Sequence, residues 1–110
     1  MNYVILGTFN PPRTLAICDN MFYGFFQTEQ PPGPIPCGEL RDNNGTSVIG
    51  EVKFDFDRLE FTQVRENSDE RIHYKFQQMG NVWTGTYQGG KTRPGYVRCV
   101  INRVEPNFFA

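Results

Sequence analysis

Three acidic residues, Asp55, Asp57 and Glu60, form the carboxylate group whose spacing best suits chemistry. If a turn falls at residues 57–58, Asp55 lies across from Glu60, and like charges in that position repel unless a cation lies between them. A metal ion or an acid–base pair would use such a group. The same pattern fits the solvated outer face of a strand pair, so we assign no catalytic residue and no metal ligand.

The other reactive side chains lack the partners that catalysis needs. His73 is the only histidine, and it falls on the outward face of a predicted strand, on the same rung as Val64. The cysteines, Cys18, Cys37 and Cys99, are odd in number and form no Cys-x-x-Cys pair, which is typical of reduced thiols that pack as small apolar groups. We expect no cofactor.

Two glycine-containing motifs look like ligand loops but fit turns better. Gly89-Gly90-Lys91-Thr92 resembles the end of a phosphate-binding loop, yet Pro94 blocks the helix that must follow, so we predict a hairpin loop over residues 89–95. Asp42-Asn43-Asn44-Gly45 begins like a calcium loop but lacks the later acidic ligand, and its Asn-Gly pair is a strong hairpin signal.

Aromatic residues are the remaining candidates, at 15% of the chain, with ten Phe, five Tyr and one Trp. Strand alternation places many of these rings, and one amide, on a single face. A cavity lined by rings and a few polar groups is the usual composition of a small-molecule site. The predicted ligand-binding residues are Phe61, Gln63, Tyr74, Phe76, Trp83 and Tyr87.

Antiparallel strands must position these residues. Residues 71–77 alternate polar and apolar side chains, as a half-buried strand does. Gly80-Asn81 suits a type II′ turn, which pairs Tyr74 with Tyr87 and Phe76 with Gly85.

Two further hairpins extend the same apolar face on either side. A loop over residues 89–95 predicts a strand that pairs Tyr87 with Val97, and a turn at residues 67–70 pairs Phe61 with Phe76 and Gln63 with Tyr74. Together these strands form a meander with one aromatic face.

Residues 47–57 alternate so that Val48, Val52, Phe54 and Phe56 would face inward. The alternation changes phase between Phe56 and Leu59. A tight turn at residues 57–58 and a bulge in one continuous strand explain this equally.

The first 38 residues are read less directly. Residues 3–9 predict a buried strand. Residues 13–28 show helical spacing of apolar side chains, yet their density of Phe and Tyr favours a strand. Residues 30–38, with four prolines, predict an exposed loop of polyproline-like conformation.

Strands with one aromatic face must bury it, and closing the sheet also removes its edges. We therefore predict a mainly β fold, a small antiparallel barrel, with a β-sandwich as the alternative and an α+β fold if residues 13–28 are helical. The segment Trp83-x-Gly85-x-Tyr87 resembles strands of the calycin barrels, the lipocalin and avidin group. Lipocalins place Gly before Trp, on the first strand, so order and position differ here.

Length and charge limit the classes of function. The 110 residues predict a single domain over residues 1–110. The net charge of −1 provides no basic field for nucleic acid. No export signal or apolar run of membrane-spanning length is present, so we expect a cytoplasmic protein that does not bind membranes.

Three functional hypotheses follow. The first is a non-catalytic module that binds a small apolar or aromatic ligand inside the barrel. The second is a homo-oligomer, such as a homodimer, whose Phe22–Phe26 and Phe108–Phe109 clusters cover a partner. The third is an enzyme that uses carboxylates and tyrosines brought together by the fold.

Overall fold

The computed structural model describes residues 1–9, 20–28, 37–65 and 70–105. Within them the chain forms strands and turns and no helix. The strands are β1 (Asn2–Phe9), β2 (Met21–Gln27), β3 (Gly38–Asp42), β4 (Gly45–Phe54), β5 (Arg58–Arg65), β6 (Arg71–Met79), β7 (Val82–Gly89) and β8 (Thr92–Val104). No helix of these described ranges is long and apolar enough to cross a membrane.

The eight strands form one closed antiparallel barrel, which confirms the predicted fold class. Each strand pairs with the next along the chain, and β8 closes the ring by pairing with β1. The strand interpretation of the aromatic stretch is confirmed over residues 21–27, whereas residues 13–19 lie outside the described residues. The predicted proline-rich loop also lies outside them at residues 30–36, and Gly38 already belongs to β3.

The β6–β7 hairpin has the predicted register. Tyr74 pairs with Tyr87 and Phe76 with Gly85. The turn between the strands consists of Gly80 and Asn81, and Gly80 has a φ of 66°. A type II′ turn needs a positive φ at its first central residue, which glycine adopts without strain.

The neighbouring hairpins differ from the predicted register by two residues. Phe61 pairs with Tyr74 rather than with Phe76. Gly85 pairs with Val97, because β7 and β8 meet at a tight turn and not at a loop over residues 89–95. A shift of two residues keeps every side chain on its predicted face, and Val97 and Cys99 are indeed buried.

The predicted alternation along residues 47–57 is wrong at both ends. Ser47 and Ile49 are buried on the inner face, so Val48 points outward. A β-bulge between Gly50 and Lys53 then changes the phase of β4.

The β4–β5 connection is a turn, and the structure corrects its position. Phe54 pairs with Leu59, so the turn occupies residues 55–57 rather than 57–58. As a result Phe56 lies in the turn and is 87% exposed instead of facing inward.

Apolar side chains fill the middle of the barrel. The core includes Phe22, Phe26, Leu40, Ile49, Leu59, Ile72, Trp83 and Val97, each no more than 6% exposed. The rings pack edge-to-face and stacked, as in the 4.7 Å stack of Phe61 on Tyr74. Space for a ligand must therefore lie toward an end of the barrel.

Candidate functional site

Polar residues occupy the last inward positions at one end of the barrel. Along β3, Gly38 and Leu40 are buried, and two residues on, Asp42 has a side chain only 4% exposed. Along β5, Phe61 and Gln63 are buried, and the same alternation places Arg65 at the end of the strand. We call this end, formed by the end of β1, the β3–β4 turn, the end of β5 and the start of β6, the Asp42 mouth.

The Asp42 carboxylate is held by the turn that follows it. Its Oδ1 accepts a 2.8 Å hydrogen bond from the backbone N–H of Asn44. Residues 43 and 44 form the turn, and Gly45 follows at a φ of 114°, a sequence typical of a three-residue hairpin loop. The interpretation of residues 42–45 as a turn is thus confirmed, and the turn orients the carboxylate.

The second carboxylate oxygen of Asp42 is buried and accepts no hydrogen bond from the residues that the structure describes. Arg65 is a neighbouring cation, with its Nη1 3.7 Å from Oδ2. That distance allows an ion pair but exceeds that of a good hydrogen bond. A buried carboxylate oxygen left in this state destabilises the fold by roughly 1–3 kcal/mol or more, so it is the kind of group that a ligand can satisfy.

Arg65 is shared between two carboxylates. Its Nη1 lies near Asp42, and its Nε lies 3.8 Å from Glu70 Oε2. Glu70 is also fixed by the backbone N–H of Lys91, which donates a 2.8 Å hydrogen bond to Oε1. The three side chains are between 4% and 24% exposed, so solvent screens their charges less than those of surface pairs.

A pocket of about 200 Å³ lies at the Asp42 mouth. Its polar lining consists of Asn20, Asp42, Asn43, Asn44 and Arg65. Its apolar lining consists of Phe9, Met21, Ile72, Tyr74 and Tyr87. A few polar groups beside aromatic rings are the usual composition of a small-ligand site. We call this cavity the mouth pocket.

Three rings form the aromatic side of the mouth pocket. The Phe9 centroid lies 5.4 Å from that of Tyr87 and 6.3 Å from that of Tyr74, and the two tyrosine rings are 5.9 Å apart. Phe9 also packs on Phe22 at 4.8 Å, so the core supports it from behind. The rings are therefore held in place before any ligand arrives.

A hydrogen-bonded chain runs from the mouth pocket into the core. The Tyr74 hydroxyl donates to Gln63 Oε1 at 2.6 Å, and Gln63 Nε2 donates to Ser47 Oγ at 2.6 Å. Ser47 Oγ donates in turn to the carbonyl of Leu40 at 3.2 Å. Each hydroxyl proton is used, so the chain fixes the orientation of the Gln63 amide.

Burial raises the pKa of Tyr74 far above its ordinary value, and the negative charge of Asp42 raises it further. The positive charge of Arg65 acts in the opposite direction, and Tyr87 adds to the increase. The Tyr74 phenol is therefore neutral throughout the physiological range. Its proton is committed to Gln63, which leaves the oxygen free to accept a further hydrogen bond.

The six predicted ligand-binding residues fall into three places. Tyr74 and Tyr87 line the mouth pocket. Gln63 contacts the Tyr74 hydroxyl from the core side. Phe61, Phe76 and Trp83 are buried among other rings, with Trp83 packed 5.4 Å from Phe54.

The three acidic residues considered for catalysis do not all meet at one site. Asp55 is 66% exposed and lies 4.0 Å from Arg58, and its neighbour across β4–β5 is not Glu60, which pairs with Lys53. Asp57 and Glu60 line an outer groove of about 620 Å³ together with Arg58 and Lys75. Among the described residues, no group of three His, Cys, Asp or Glu side chains could hold a metal ion.

His73 has partners that the predicted register did not provide. It pairs with Thr62, and its Nδ1 lies 2.9 Å from Thr62 Oγ1. The Thr62 hydroxyl also donates to Glu51 Oε2 at 3.0 Å. His73 is exposed on the outer wall, as expected. The contacts from Glu51 through Thr62 to His73 link the β4 bulge to β6.

Sequence reasoning missed several residues of the mouth pocket, chiefly Asp42 and Arg65. A signal was present, because each ends a strand whose alternate residues point inward: residues 38, 40 and 42 on β3, and 61, 63 and 65 on β5. Charged residues at strand ends are ordinarily solvated, and Asp42 also fits a turn. Only the closure of the strands into a barrel shows that Asp42 and Arg65 meet at the same end.

The chain was compared with protein-family models, curated proteins and solved structures, and none of these matches it.

Proposed function

We propose that this barrel is a non-catalytic module that binds a small molecule in the mouth pocket. The observation that carries the proposal is the Asp42 Oδ2 atom, a buried carboxylate oxygen that has no hydrogen-bond donor among the described residues and lies beside an aromatic-lined pocket. A ligand that brings a donor to this oxygen would relieve its desolvation. Its apolar part would rest against Phe9 and Tyr87.

The size of the pocket limits the ligand. Apolar cavities of about 150 Å³ bind benzene, and the mouth pocket measures about 200 Å³. A single ring with a short polar substituent matches that space. The packed core beyond Tyr74 and Gln63 sets the inner limit of the site.

A fragment screen of the full chain tests this function. Single-ring fragments that are cationic, neutral or anionic are added to the ¹⁵N-labelled protein, and amide shifts are recorded. We expect binding fragments to shift Asn44, Arg65 and Tyr87 while the Trp83 indole, which lies in the core, stays unchanged. The proposal fails if no fragment of any charge shifts these residues.

Self-association is a second candidate function, favoured by the outer wall of β2, β1 and β8. Tyr23, Leu6 and Val100 lie on one rung and are 55%, 48% and 37% exposed. The next rung on the same face holds Phe25, Val4 and Asn102. These two rungs carry no charge, so a second copy of the chain could meet them without like-charge repulsion. Phe22 and Phe26 face the interior, and Phe108–Phe109 lie outside the described residues.

Sedimentation velocity over a range of concentrations tests self-association. Leu6→Lys should dissociate a dimer that forms through this wall, whereas Gln77→Lys on the exposed face of β6 should leave it intact. A wild-type protein that stays monomeric at the highest concentration rejects this candidate.

A further inference from the structure

The side chains at the Asp42 mouth carry unequal charge. Among the described side chains, two carboxylates, Asp42 and Glu70, flank the guanidinium of Arg65, at 3.7 and 3.8 Å. The three groups together hold one negative charge in excess. Neither ion pair has hydrogen-bond length, so Arg65 can approach Glu70 more closely while giving up Asp42.

The rest of the mouth pocket offers acceptors and ring faces. Phe9, Tyr74 and Tyr87 present aromatic surface, which attracts a cation placed over the ring. The Tyr74 oxygen retains acceptor capacity, because its proton is donated to Gln63. An ammonium group has three donors and no acceptor, which matches a site with a carboxylate oxygen, a phenolic oxygen and rings.

We propose that the ligand of the mouth pocket is a small protonated amine that carries one apolar ring. Its ammonium group donates to Asp42 Oδ2 and forms a charge-assisted hydrogen bond, while its ring packs between Phe9 and Tyr87. This inference rests on the proposed function, because it names the chemical class that the same pocket takes.

Access to Asp42 requires a movement of Arg65. The Oδ2 atom has almost no accessible surface, and Arg65 is the cation beside it. When the ammonium arrives, Arg65 turns toward Glu70, which the backbone of Lys91 already holds in place. The guanidinium therefore exchanges one carboxylate for the other and keeps a partner.

An anionic ligand meets the opposite situation. It could bind Arg65 only by competing with Asp42 and Glu70, and it would stay close to both carboxylates. Like charges at that separation repel strongly where solvent is excluded. The charge balance of these three described side chains thus favours the amine over the acid.

The test compares three probes of nearly equal shape: benzylamine, benzyl alcohol and benzoate. Each is titrated into the full ¹⁵N-labelled chain, and the Kd is obtained from the shifts of Asn44 and Tyr87. We expect benzylamine to bind about tenfold or more tightly than benzyl alcohol, and benzoate to bind most weakly.

Two variants at the mouth and one control variant test whether the charges cause the selectivity. Asp42→Asn keeps the acceptor for the Asn44 N–H and should reduce benzylamine affinity by about tenfold or more, whereas Asp57→Asn, on an exposed turn, should leave it unchanged. Arg65→Gln removes the competing cation and should tighten benzylamine binding. The amide spectrum of each variant verifies that it is folded.

The outcomes separate this inference from the proposed function. If benzyl alcohol or benzoate binds at Asn44 and Tyr87 as tightly as benzylamine, the pocket binds small molecules but the amine assignment is wrong. The assignment is also wrong if Arg65→Gln abolishes benzylamine binding. If no probe and no screened fragment shifts these residues, the proposed function itself is rejected.

Discussion

The Tyr74 hydroxyl donates a 2.6 Å hydrogen bond to Gln63 Oε1, and both residues are no more than 1% exposed. Removing one partner of a buried pair leaves the other unsatisfied. We therefore expect Tyr74→Phe and Gln63→Leu each to lower the free energy of unfolding by about 1–3 kcal/mol. The double variant should lose less than the sum of the two, because the shared bond is removed only once.

Urea denaturation of the two single variants and the double variant measures this coupling. Tyr23→Phe is the matched control, because its hydroxyl belongs to a residue that is 55% exposed. If Tyr74→Phe changes stability no more than Tyr23→Phe does, the chain from Tyr74 to Ser47 does not stabilise the core.

Asp42 is expected to favour binding at the expense of stability. Asp42→Asn removes a buried charge whose Oδ2 accepts no hydrogen bond within the described part of the chain. It keeps the Oδ1 acceptor for Asn44 and leaves Arg65 its second partner, Glu70. We expect this variant to unfold at the same temperature as the wild type or a higher one, since sites built for ligands commonly reduce stability.

Asp42→Ala provides the comparison, because it also removes the acceptor for Asn44 and should destabilise the turn by about 1 kcal/mol. Thermal unfolding measures both variants without ligand. A large loss of stability in Asp42→Asn would mean that the ion pair with Arg65 supports the fold.

Substitution by alanine should affect stability very differently at two glycines of the barrel. A Cβ on Gly85 would clash with the carbonyl oxygen of Lys75, whereas a Cβ on Gly50 would have no atom within 4 Å. Gly85→Ala must push β6 away from β7, so we expect a loss of about 1–3 kcal/mol or more. Gly50→Ala should leave the free energy of unfolding nearly unchanged. Chemical denaturation measures both variants, and an equal loss of stability in the two would contradict the close approach at Gly85.

Cys99 should make the barrel sensitive to alkali. Burial raises the pKa of its thiol from 9.0 to about 12. The folded thiol keeps its proton while the unfolded thiol loses it above about pH 9, so this contribution is complete below pH 9 and is lost as the pH rises toward 12. The expected decrease is about 1.4 kcal/mol per pH unit in that window.

Cys99→Ala isolates that contribution. The substitution creates a cavity and lowers stability at every pH, so the informative quantity is the slope of unfolding free energy against pH. We expect a shallower slope between pH 9 and 12 in the variant. An unchanged slope would show that other buried groups, such as Tyr74, account for the alkaline sensitivity.

The β6–β7 register was predictable because a two-residue turn fixes the pairing of its strands. Gly80 adopts the positive φ that this turn needs, and a two-residue turn at residues 80–81 leaves a single pairing of the flanking strands. The β7–β8 register was wrong by two residues, because the glycines at 89 and 90 allow either a tight turn or a long loop. Cys99 was still predicted correctly to face inward, because side chains alternate between the two faces of a strand and a shift of two residues keeps each on its face.

The phase of β4 could not be predicted from residue types. Glu51, at a φ of 55°, belongs to the β-bulge between Gly50 and Lys53, and glutamate is not a residue that sequence patterns associate with a positive φ. Alternation read through the bulge therefore placed Val48 inside. Phe56 was misplaced for a different reason, because the turn occupies residues 55–57. The fold class was still predicted correctly, because it depends on the alternation of several strands and not on the phase of β4 alone.

The candidate site was predicted only in its aromatic half. Tyr74 and Tyr87 alternate with polar residues on two adjacent strands, and that pattern is local. The meeting of Asp42 with Arg65 depends on β3 and β5 ending at the same mouth with compatible registers. The residue types at these two positions do not by themselves predict that Asp42 and Arg65 come into contact.

The pairing of β1 with β8 has a consequence for how the chain folds. It joins residues as distant as Ile5 and Ile101, whereas the other pairings among the described strands link consecutive ones. Hairpins can form early, but ring closure must bring together strands from opposite ends of the described chain, at a higher cost in chain entropy. Until then β1 and β8 each expose an unpaired edge. Refolding at high concentration should therefore favour exchange of edge strands between chains, giving domain-swapped dimers and aggregates at the expense of closed monomeric barrels.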